Sequence, residues 1–181
     1  MFPFVVSFDA FVDQLLKNTP LPPKPVVITF DDGWQSQYTN AFPLLQKYGD
    51  TATFFIYTNA IGQKHFLTWQ QVKNLDAAGM TIGSHTESHP YLLKITAKQR
   101  LTEEIAGSKQ IIESQLGKKI NFFAYPFGHY NKTIIDAVKE AGYKAARSFY
   151  RGVYNTKDDL FTLKVIKASN NFNEFVKDLN E

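Results

Sequence analysis

A short acidic motif constrains this chain more than any other feature of its sequence. Residues 29–33 read Thr-Phe-Asp-Asp-Gly, and the apolar residues 26–28, Val-Val-Ile, precede them. The apolar run predicts a buried β-strand, which places the adjacent carboxylates of Asp31 and Asp32 at a strand end. Neighbouring carboxylates resist joint ionisation unless a positive charge lies close to them. A bound divalent cation is the simplest source of that charge.

Two further metal ligands occur about 50 residues later in the chain. Residues 84–90 read Ser-His-Thr-Glu-Ser-His-Pro and contain His85 and His89. One carboxylate and two imidazoles make a set of three protein ligands with an open position for water, which is typical of catalytic rather than structural metal sites. The second carboxylate of the doublet would then be free to act as a base. The chain contains no cysteine, so thiolate metal sites and disulfides are excluded.

Each motif also has a purely structural interpretation. Asp-Asp-Gly is common turn chemistry, and His85 and His89 would then be two surface imidazoles. Residues 124–128, Ala-Tyr-Pro-Phe-Gly, resemble a strand that ends in a turn. Their functional interpretation is a groove wall whose Phe127 N–H is directed at an oxyanion. The first two motifs both follow predicted strands, and this shared position favours a metal site over two unrelated turns.

Predicted strands and helices alternate along the chain. This alternation predicts an α/β fold with a largely parallel sheet, in which functional residues gather at the carboxyl ends of the strands. No linker rich in Gly, Ser or Pro divides the sequence, so we expect a single domain over residues 1–181. Strands are predicted at residues 26–28, 52–57, 81–83, 120–125, 143–146 and 163–168, and helices at 8–16, 38–48, 68–80, 96–116, 131–141 and 171–179.

The composition excludes several classes of function. The net charge of +3 is scattered along the chain without a basic run, so nothing supports nucleic-acid binding. No apolar stretch reaches transmembrane length. The first six residues are too short and lack the basic start of a signal peptide. From the residues alone we therefore expect either a cytoplasmic protein or a chain that begins after a removed leader.

Taken together, the motifs resemble those of the polysaccharide deacetylases, the NodB-homology domain of carbohydrate esterase family four. That family is similar in Thr-Phe-Asp-Asp-Gly, in His-Thr-x-Ser-His-Pro and in a later Pro-Tyr/Phe-Gly, and the resemblance spans roughly residues 8–179. The segment at residues 124–128 looks more like the subgroup of poly-N-acetylglucosamine deacetylases. The resemblance implies a distorted, incomplete (β/α) barrel. It also implies a divalent metal, usually Zn²⁺ with Co²⁺ or Ni²⁺ as alternatives.

The resemblance further implies an activity, a partner and a location. The expected reaction is metal-dependent hydrolysis of N-acetyl groups, and the expected partner is an acetylated polysaccharide or oligosaccharide. The substrate would be a cell-wall glycan or exopolysaccharide that contains N-acetylglucosamine. Members of the family act outside the cell or at its surface, so the resemblance favours that location over the cytoplasm.

Transferred position by position, the resemblance gives roles to individual residues. Asp31 becomes the general base, and Asp32 becomes a metal ligand together with His85 and His89. The metal would hold the attacking water and polarise the acetyl carbonyl, while the Phe127 N–H helps to stabilise the oxyanion. Substrate contacts are expected from Trp34, Tyr125, Pro126 and Phe127.

Departures from the family pattern leave two roles open. The family's third motif begins with an arginine that orients the catalytic aspartate, but Ala124 occupies that position, and no histidine follows His129 to protonate the leaving amine. Lys164 or Lys167 is a candidate for the first role, and His129 is a candidate for the second. The missing acid also keeps two alternatives open, namely an O-acetyl esterase and a catalytically impaired protein that only binds glycans.

Overall fold

Parallel β-strands that follow one another in chain order organise the structure, a computed structural model that describes residues 3–179. Within the described residues the strands are β1 Phe4–Val5, β2 Pro25–Val26, β3 Thr29–Asp32, β4 Thr53–Ile56, β5 Thr81–Ser84, β6 Phe122–Ala124, β7 Ala145–Arg151 and β8 Leu163–Val165. The α-helices of the same residues are α1 Phe8–Lys17, α2 Phe42–Tyr48, α3 Trp69–Ala77, α4 Lys98–Thr102, α5 Ser108–Leu116, α6 Lys132–Glu140 and α7 Phe172–Asp178.

The main sheet runs in the order β3-β4-β5-β6-β7-β8, and every neighbouring pair is parallel. Parallel neighbours require crossover connections, which helices provide here between most strands. The sheet is curled, and among the described residues it ends at β3 and at β8 without closing, so it forms part of a barrel. This confirms the predicted distorted, incomplete (β/α) barrel. No helix within residues 3–179 is both long enough and apolar enough to cross a membrane.

The two faces of the curled sheet pack against different partners. Phe54 and Ile56 of β4 belong to the larger core, which lies between the sheet and the outer helices. Phe55 points to the opposite face and packs with Phe8 of α1. On this face the Phe55 ring lies against the backbone of its β5 partner Gly83, because a Cβ atom on Gly83 would come within 2.4 Å of the ring. Every residue of β4 is buried, as expected for a central parallel strand.

Strand register aligns the carboxyl ends of the sheet at one rim. Asp32 pairs with Ile56 of β4, which pairs with Ser84 of β5. Further along the same sheet, Ala124, the last residue of β6, pairs with Arg147 of β7. The segments that follow these strands therefore meet at the same edge, which is where functional residues are expected in such folds.

Several element boundaries differ from the predicted ones. The first strand of the main sheet begins at Thr29, because Pro25 and Val26 pair with β1 instead, so the acidic motif lies within the strand rather than after it. Strand β7 continues to Arg151, past its predicted end at residue 146. The helix predicted over residues 96–116 is interrupted by a π-helical turn at Glu103–Gly107.

Candidate active site

Three side chains with metal-binding chemistry converge at the rim of the sheet. Asp32 ends β3, His85 follows β5 directly, and His89 lies in the loop beyond it. Asp32 Oδ1 lies 3.7 Å from His85 Nε2 and 3.5 Å from His89 Nε2. One ligand atom from each residue lies within 4.8 Å of the other two. We call these three residues the metal triad.

The His85 ring is fixed in the orientation that a metal ligand needs. Its Nδ1 lies 2.7 Å from the carbonyl oxygen of Ala124, so Nδ1 carries the hydrogen and Nε2 keeps its lone pair for the triad. Burial lowers the pKa of His85, although the Ala124 carbonyl and Asp32 oppose that shift. Burial, together with His85, also lowers the pKa of His89. Both shifts favour the neutral imidazole, which is the form that binds metal ions.

A buried carboxylate holds the loop that carries His89. Glu104 is fully buried in the π-helical turn, and its Oε2 accepts hydrogen bonds from the N–H groups of Glu87 at 3.0 Å and Ser88 at 2.9 Å. Its other oxygen accepts the Ser88 hydroxyl and pairs with Arg100. Charge-assisted hydrogen bonds of this kind are stronger than neutral ones. The loop is therefore fastened to the helix that packs behind it.

The backbone around the metal triad adopts conformations that L-residues rarely occupy. Asp32, Thr86 and His89 have φ values of 73°, 74° and 55°, and each such residue costs of the order of 1–3 kcal/mol. The His89 N–H donates to Thr86 Oγ1 at 3.0 Å, which closes a tight turn inside the loop. These unusual conformations lie together at one rim, and they give the side chains of Asp32 and His89 directions that an ordinary strand or turn would not give.

Asp31, the predicted base, pairs with a guanidinium. Arg147 Nη2 donates to Asp31 Oδ1, and Arg147 Nη1 donates to the Ser148 carbonyl at 3.1 Å. The guanidinium is buried above the Phe55 ring, 5.0 Å from its centroid. Burial lowers the pKa of Arg147 to about 10, so it remains a cation at neutral pH. A cation that is hydrogen-bonded to the Asp31 carboxylate stabilises its ionised form and fixes its direction.

Arg147 corrects the prediction that Lys164 or Lys167 orients Asp31. The Lys164 ammonium contacts the Tyr154 carbonyl at 3.1 Å and Asp159 at 3.5 Å, and Lys167 lines a cavity beside α7. The family's arginine position is Ala124, and its register partner on the next strand is Arg147. The guanidinium thus reaches the aspartate from one strand further along the sheet.

The predicted substrate contacts divide into exposed and buried residues. Trp34 and Phe127 are 44% and 52% exposed, and the Trp34 indole N–H donates to Asp32 Oδ2 at 3.1 Å. Tyr125 is only 1% exposed, and its hydroxyl donates to the Phe161 carbonyl at 2.9 Å. Pro126 is also buried. Burial leaves both side chains without free surface for a substrate, so the structure does not support the predicted substrate contacts of Tyr125 and Pro126. Tyr125 follows β6 directly and packs into the larger core.

Phe127 stands at the tip of a strained turn beside the triad. Its φ is 58°, and its ring centroid lies 4.7 Å from that of His89. Gly128 follows with a positive φ, and a Cβ atom there would come within 2.2 Å of Phe149 Cβ. The turn therefore packs directly against β7, which fixes the position of Phe127.

The two histidines outside the triad lie at opposite ends of the rim. The His129 ring contacts Tyr91 at 5.3 Å, and Tyr91 in turn contacts Phe127. Two rings therefore separate His129 from His89, which does not support His129 as the acid. His65 is exposed in a loop, and its carbonyl accepts the N–H of Gln35 at 2.8 Å.

The triad fits the divalent metal that the sequence predicts. Two imidazoles and one carboxylate are the donor set of many catalytic zinc centres, and cobalt and nickel accept the same ligands. The His85 tautomer is fixed, and both imidazoles favour the neutral form. Asp32 and His89 remain partly exposed, so one side of the triad is open to water and substrate.

Comparison with known proteins identifies the family to which this fold and site belong. The sequence model of the polysaccharide deacetylase family matches residues 18–146, so the chain belongs to the polysaccharide deacetylases. YxkH of Bacillus subtilis, which carries that family name, is 34% identical over 146 residues that cover 81% of this chain and 52% of YxkH. The chain thus spans about half the length of this relative.

Two further similarities bear on the subgroup. The poly-beta-1,6-N-acetyl-D-glucosamine N-deacetylase of Staphylococcus aureus is 25% identical over 178 residues, which cover 89% of this chain and 60% of that protein. The solved structure of the Streptococcus pyogenes deacetylase PplD, in complex with acetate, superposes with a TM-score of 0.92 at 28% identity. That match covers 99% of this chain and 80% of PplD. The predicted resemblance to the poly-N-acetylglucosamine deacetylase subgroup is thus confirmed.

Proposed function

We propose that this protein is a metal-dependent hydrolase that removes N-acetyl groups from a polysaccharide containing N-acetylglucosamine. The observation that carries the proposal is the position of the Asp31–Arg147 pair beside the metal triad of Asp32, His85 and His89. The name of the Staphylococcus aureus relative supports the choice of glycan. Membership of the polysaccharide deacetylase family supports the choice of reaction.

Each group of the site would have a separate role in amide hydrolysis. Asp32, His85 and His89 would hold the divalent ion, which when bound supplies a Lewis acid and lowers the pKa of coordinated water. Asp31 accepts the proton of the attacking water, and Arg147 keeps its carboxylate ionised and correctly directed. The Phe127 N–H donates to the oxyanion that develops on the acetyl carbonyl.

The decisive experiment measures acetate release from acetylated glucosamine oligomers by the zinc-loaded and cobalt-loaded protein. We expect turnover by the wild type and a loss of about 10²–10⁴-fold for Asp31→Asn, the usual contribution of a general base. Metal content of the variant should stay at the wild-type level. Asp158→Asn, which alters an exposed carboxylate in the turn before β8, is the matched control and should behave as wild type.

Three outcomes would contradict parts of the proposal. Unchanged activity of Asp31→Asn would remove Asp31 as the base. A purified protein that takes up no divalent metal would remove the metal-dependent mechanism. Metal and glycan binding without any acetate release would instead establish the glycan-binding alternative.

The position of His129 favours a second candidate, hydrolysis of O-acetyl esters on a glycan. Two aromatic rings lie between His129 and the triad, and an alkoxide leaving group needs an acid less than an amine does. Parallel assays on an O-acetylated xylan oligomer and an N-acetylated glucosamine oligomer separate the candidates. A higher kcat/KM on the ester would replace the amide as the preferred substrate.

A further inference from the structure

Each of the two π-helical turns in the described part of the chain carries a buried polar side chain that is directed at the candidate active site. The turn at Glu103–Gly107 carries Glu104, which fastens the loop of His89. The turn at Gln37–Ala41 carries Gln37, which is only 9% exposed. Turns of this kind are rare and occur frequently at functional sites. The parallel directs attention to Gln37, to which the proposed mechanism gives no role.

Gln37 contacts the peptide that joins the predicted base to the metal triad. Its Nε2 donates a hydrogen bond to the backbone carbonyl oxygen of Asp31, and this carbonyl belongs to the peptide between Asp31 and Asp32. Asp32 has a φ of 73°, a conformation that an L-residue keeps only where its surroundings impose it. The hydrogen bond from Gln37 is one of the contacts that impose the orientation of this peptide.

The sheet leaves the Asp31 carbonyl without a partner strand. The Thr53 N–H of β4 donates to the Ile28 carbonyl at 2.9 Å, and the direction of hydrogen bonding alternates along a parallel strand. The carbonyl groups of residues 28, 30 and 32 therefore face β4, whereas that of Asp31 faces the opposite side of β3. Among residues 3–179 no strand pairs with that side, because β3 is the first strand of the main sheet. Gln37 supplies the donor that a further strand would otherwise supply.

The other end of the Gln37 amide argues against a purely structural role. Its Oε1 is buried and accepts no hydrogen bond from the residues that the structure describes. A buried polar atom without a partner destabilises the folded state. An apolar side chain of similar size would avoid that cost, so stability alone does not account for an amide at this position. The hydrogen bond to the Asp31 carbonyl does account for it.

We propose that Gln37 is a positioning residue for the base, because it fixes the Asp31–Asp32 peptide and thereby the position from which the Asp31 carboxylate meets the attacking water. Arg147 holds the carboxylate of the same residue, so Asp31 is fixed at both its backbone and its side chain. The inference rests on the proposed function, since it takes Asp31 as the base. A displacement of about 1 Å at a reacting group can cost about 10²-fold in rate, so Gln37 affects kcat without touching the substrate.

The first test compares kcat and KM of Gln37→Met and wild type on acetylated glucosamine oligomers. Methionine keeps the length of the side chain and removes its hydrogen bond. We expect kcat to fall by about tenfold while KM stays within about twofold, because the base is displaced and the substrate contacts are not. Zinc content should stay stoichiometric. Gln46→Met, the same change at an exposed position of α2, is the matched control and should behave as wild type.

The second test uses Gln37→Glu to separate positioning from general support of the fold. A protonated carboxyl group donates to the Asp31 carbonyl in place of the amide, whereas an ionised carboxylate can only accept. Burial raises the pKa of a carboxyl group, so we expect the ratio of its kcat to that of wild type to fall by about fivefold or more between pH 6 and pH 9. The ratio for Gln37→Met should not change over this range. Melting curves at each pH verify that the variants are folded.

The outcomes separate this inference from the proposed function. Wild-type kcat in folded, zinc-loaded Gln37→Met would overturn the inference and leave the deacetylase intact. If the wild type itself turns over no oligomer, the proposed function fails, and amide hydrogen exchange in the metal-free protein tests the hold on the peptide. The Asp32 N–H should then exchange about fivefold faster in Gln37→Met than in wild type or Gln46→Met. Equal exchange in all three proteins would overturn the inference.

Discussion

The side chains of the metal triad are supported differently from the aromatic rings that lie around it. We call these rings the aromatic track, and its members are Trp34, Tyr57, Phe66, Tyr91, Phe127 and His129. His85 is buried and is hydrogen-bonded to the neighbouring strand, and the loop that carries His89 is fastened by the buried Glu104. Trp34 and Phe127 are exposed and pack against the neighbouring rings of Phe66 and Tyr91, and Phe127 is also held by a turn that packs against β7. Chemistry at a metal requires ligands held to within a fraction of an ångström, whereas stacking on a sugar tolerates small displacements.

This difference shows where backbone strain is useful. The left-handed residues Asp32, Thr86 and His89 surround the triad, and the sheet and Glu104 compensate for their cost. Substitutions in the buried region should therefore change metal affinity and kcat, while substitutions in the track should change how substrate length affects KM. The predictions below test that division, beginning with the largest expected effect.

Removal of a triad imidazole should have the largest effect. We expect His85→Ala to lose stoichiometric zinc and to lose more than about 10³-fold in kcat/KM, since a Lewis acid contributes several kcal/mol to such reactions. Metal analysis of the purified protein and acetate assays measure the two losses. His65→Ala removes an imidazole outside the triad and should retain full metal content. Normal zinc binding by His85→Ala would show that the triad is not the metal site.

Arg147→Lys should separate the base from the metal. Lysine keeps the charge but cannot reproduce the paired contacts of the guanidinium with Asp31 and the Ser148 carbonyl. We expect kcat to fall by about 10–100-fold, as for other residues that orient a reacting group, with zinc content unchanged. Lys164→Met, at the position predicted from sequence, is the control and should leave kcat near wild type. A combined loss of zinc and kcat in Arg147→Lys would contradict the division.

The contrast between the metal triad and Arg147 shows which residues of the site can be predicted from sequence and which cannot. Asp32, His85 and His89 lie in two short motifs at strand ends, so the residues alone predict two imidazoles and one carboxylate of the acidic doublet, and the family resemblance assigns that carboxylate to Asp32. Arg147 is 116 positions from Asp31, and the strand that carries it was predicted to end at residue 146. The available signal was the continuation Ala-Ala-Arg-Ser-Phe after residue 144, in which an arginine inside a buried strand requires a charged partner.

Other features of the site depend on geometry that periodicity does not determine. The orientation of Tyr125 depends on the phase of side-chain alternation in a three-residue strand, and composition cannot fix that phase. The role of Glu104 depends on a π-helical turn, which brings its carboxylate to the loop of His89. The parallel α/β fold was predictable from the alternation of strands and helices, whereas the incomplete barrel was implied only by the resemblance to the polysaccharide deacetylases.

Glu104→Gln tests the support behind His89. Glutamine keeps the shape but replaces charge-assisted hydrogen bonds from Ser88 and Arg100 with weaker ones, and its NH₂ group cannot accept them. We expect zinc affinity to fall by about tenfold, at the lower end of the range for groups that hold ligands in place, and the melting temperature to fall. Glu103→Gln, an exposed neighbour on the same turn, is the matched control. Equal zinc affinity in both variants would limit Glu104 to a role in folding.

The titration of the triad histidines should appear in the stability of the metal-free protein. Burial lowers the pKa of His85 in the folded state below the 6.5 of the unfolded chain. At a pH between the folded and the unfolded pKa, the unfolded chain therefore binds more protons than the folded one. The contribution of His85 to the free energy of unfolding is thus fully present above about pH 6.5 and is lost as the pH falls towards the folded pKa. Melting temperatures of the metal-free protein between pH 8 and 5 measure this. The slope should be smaller in His85→Asn, and an equal slope would assign the loss to other groups.

Trp34 belongs to both regions, so it gives the smallest but sharpest test. Its ring is part of the aromatic track, while its indole N–H donates to the metal-triad carboxylate of Asp32 at 3.1 Å. Trp34→Phe keeps a stacking ring and removes only the hydrogen bond, whose net contribution at an exposed position is about 1 kcal/mol or less. Zinc affinity should therefore fall by less than about tenfold, while the dependence of kcat/KM on oligomer length stays near wild type.

Trp34→Ala removes both functions and completes the comparison. Because the ring is lost as well, we expect the same fall in zinc affinity as in Trp34→Phe together with a weaker dependence on oligomer length. Zinc titrations and length series on the two variants thus measure the two contributions of one side chain separately. If Trp34→Phe changed the length dependence as much as Trp34→Ala, the indole would contact substrate through its N–H, and the boundary between the two regions would have to be moved.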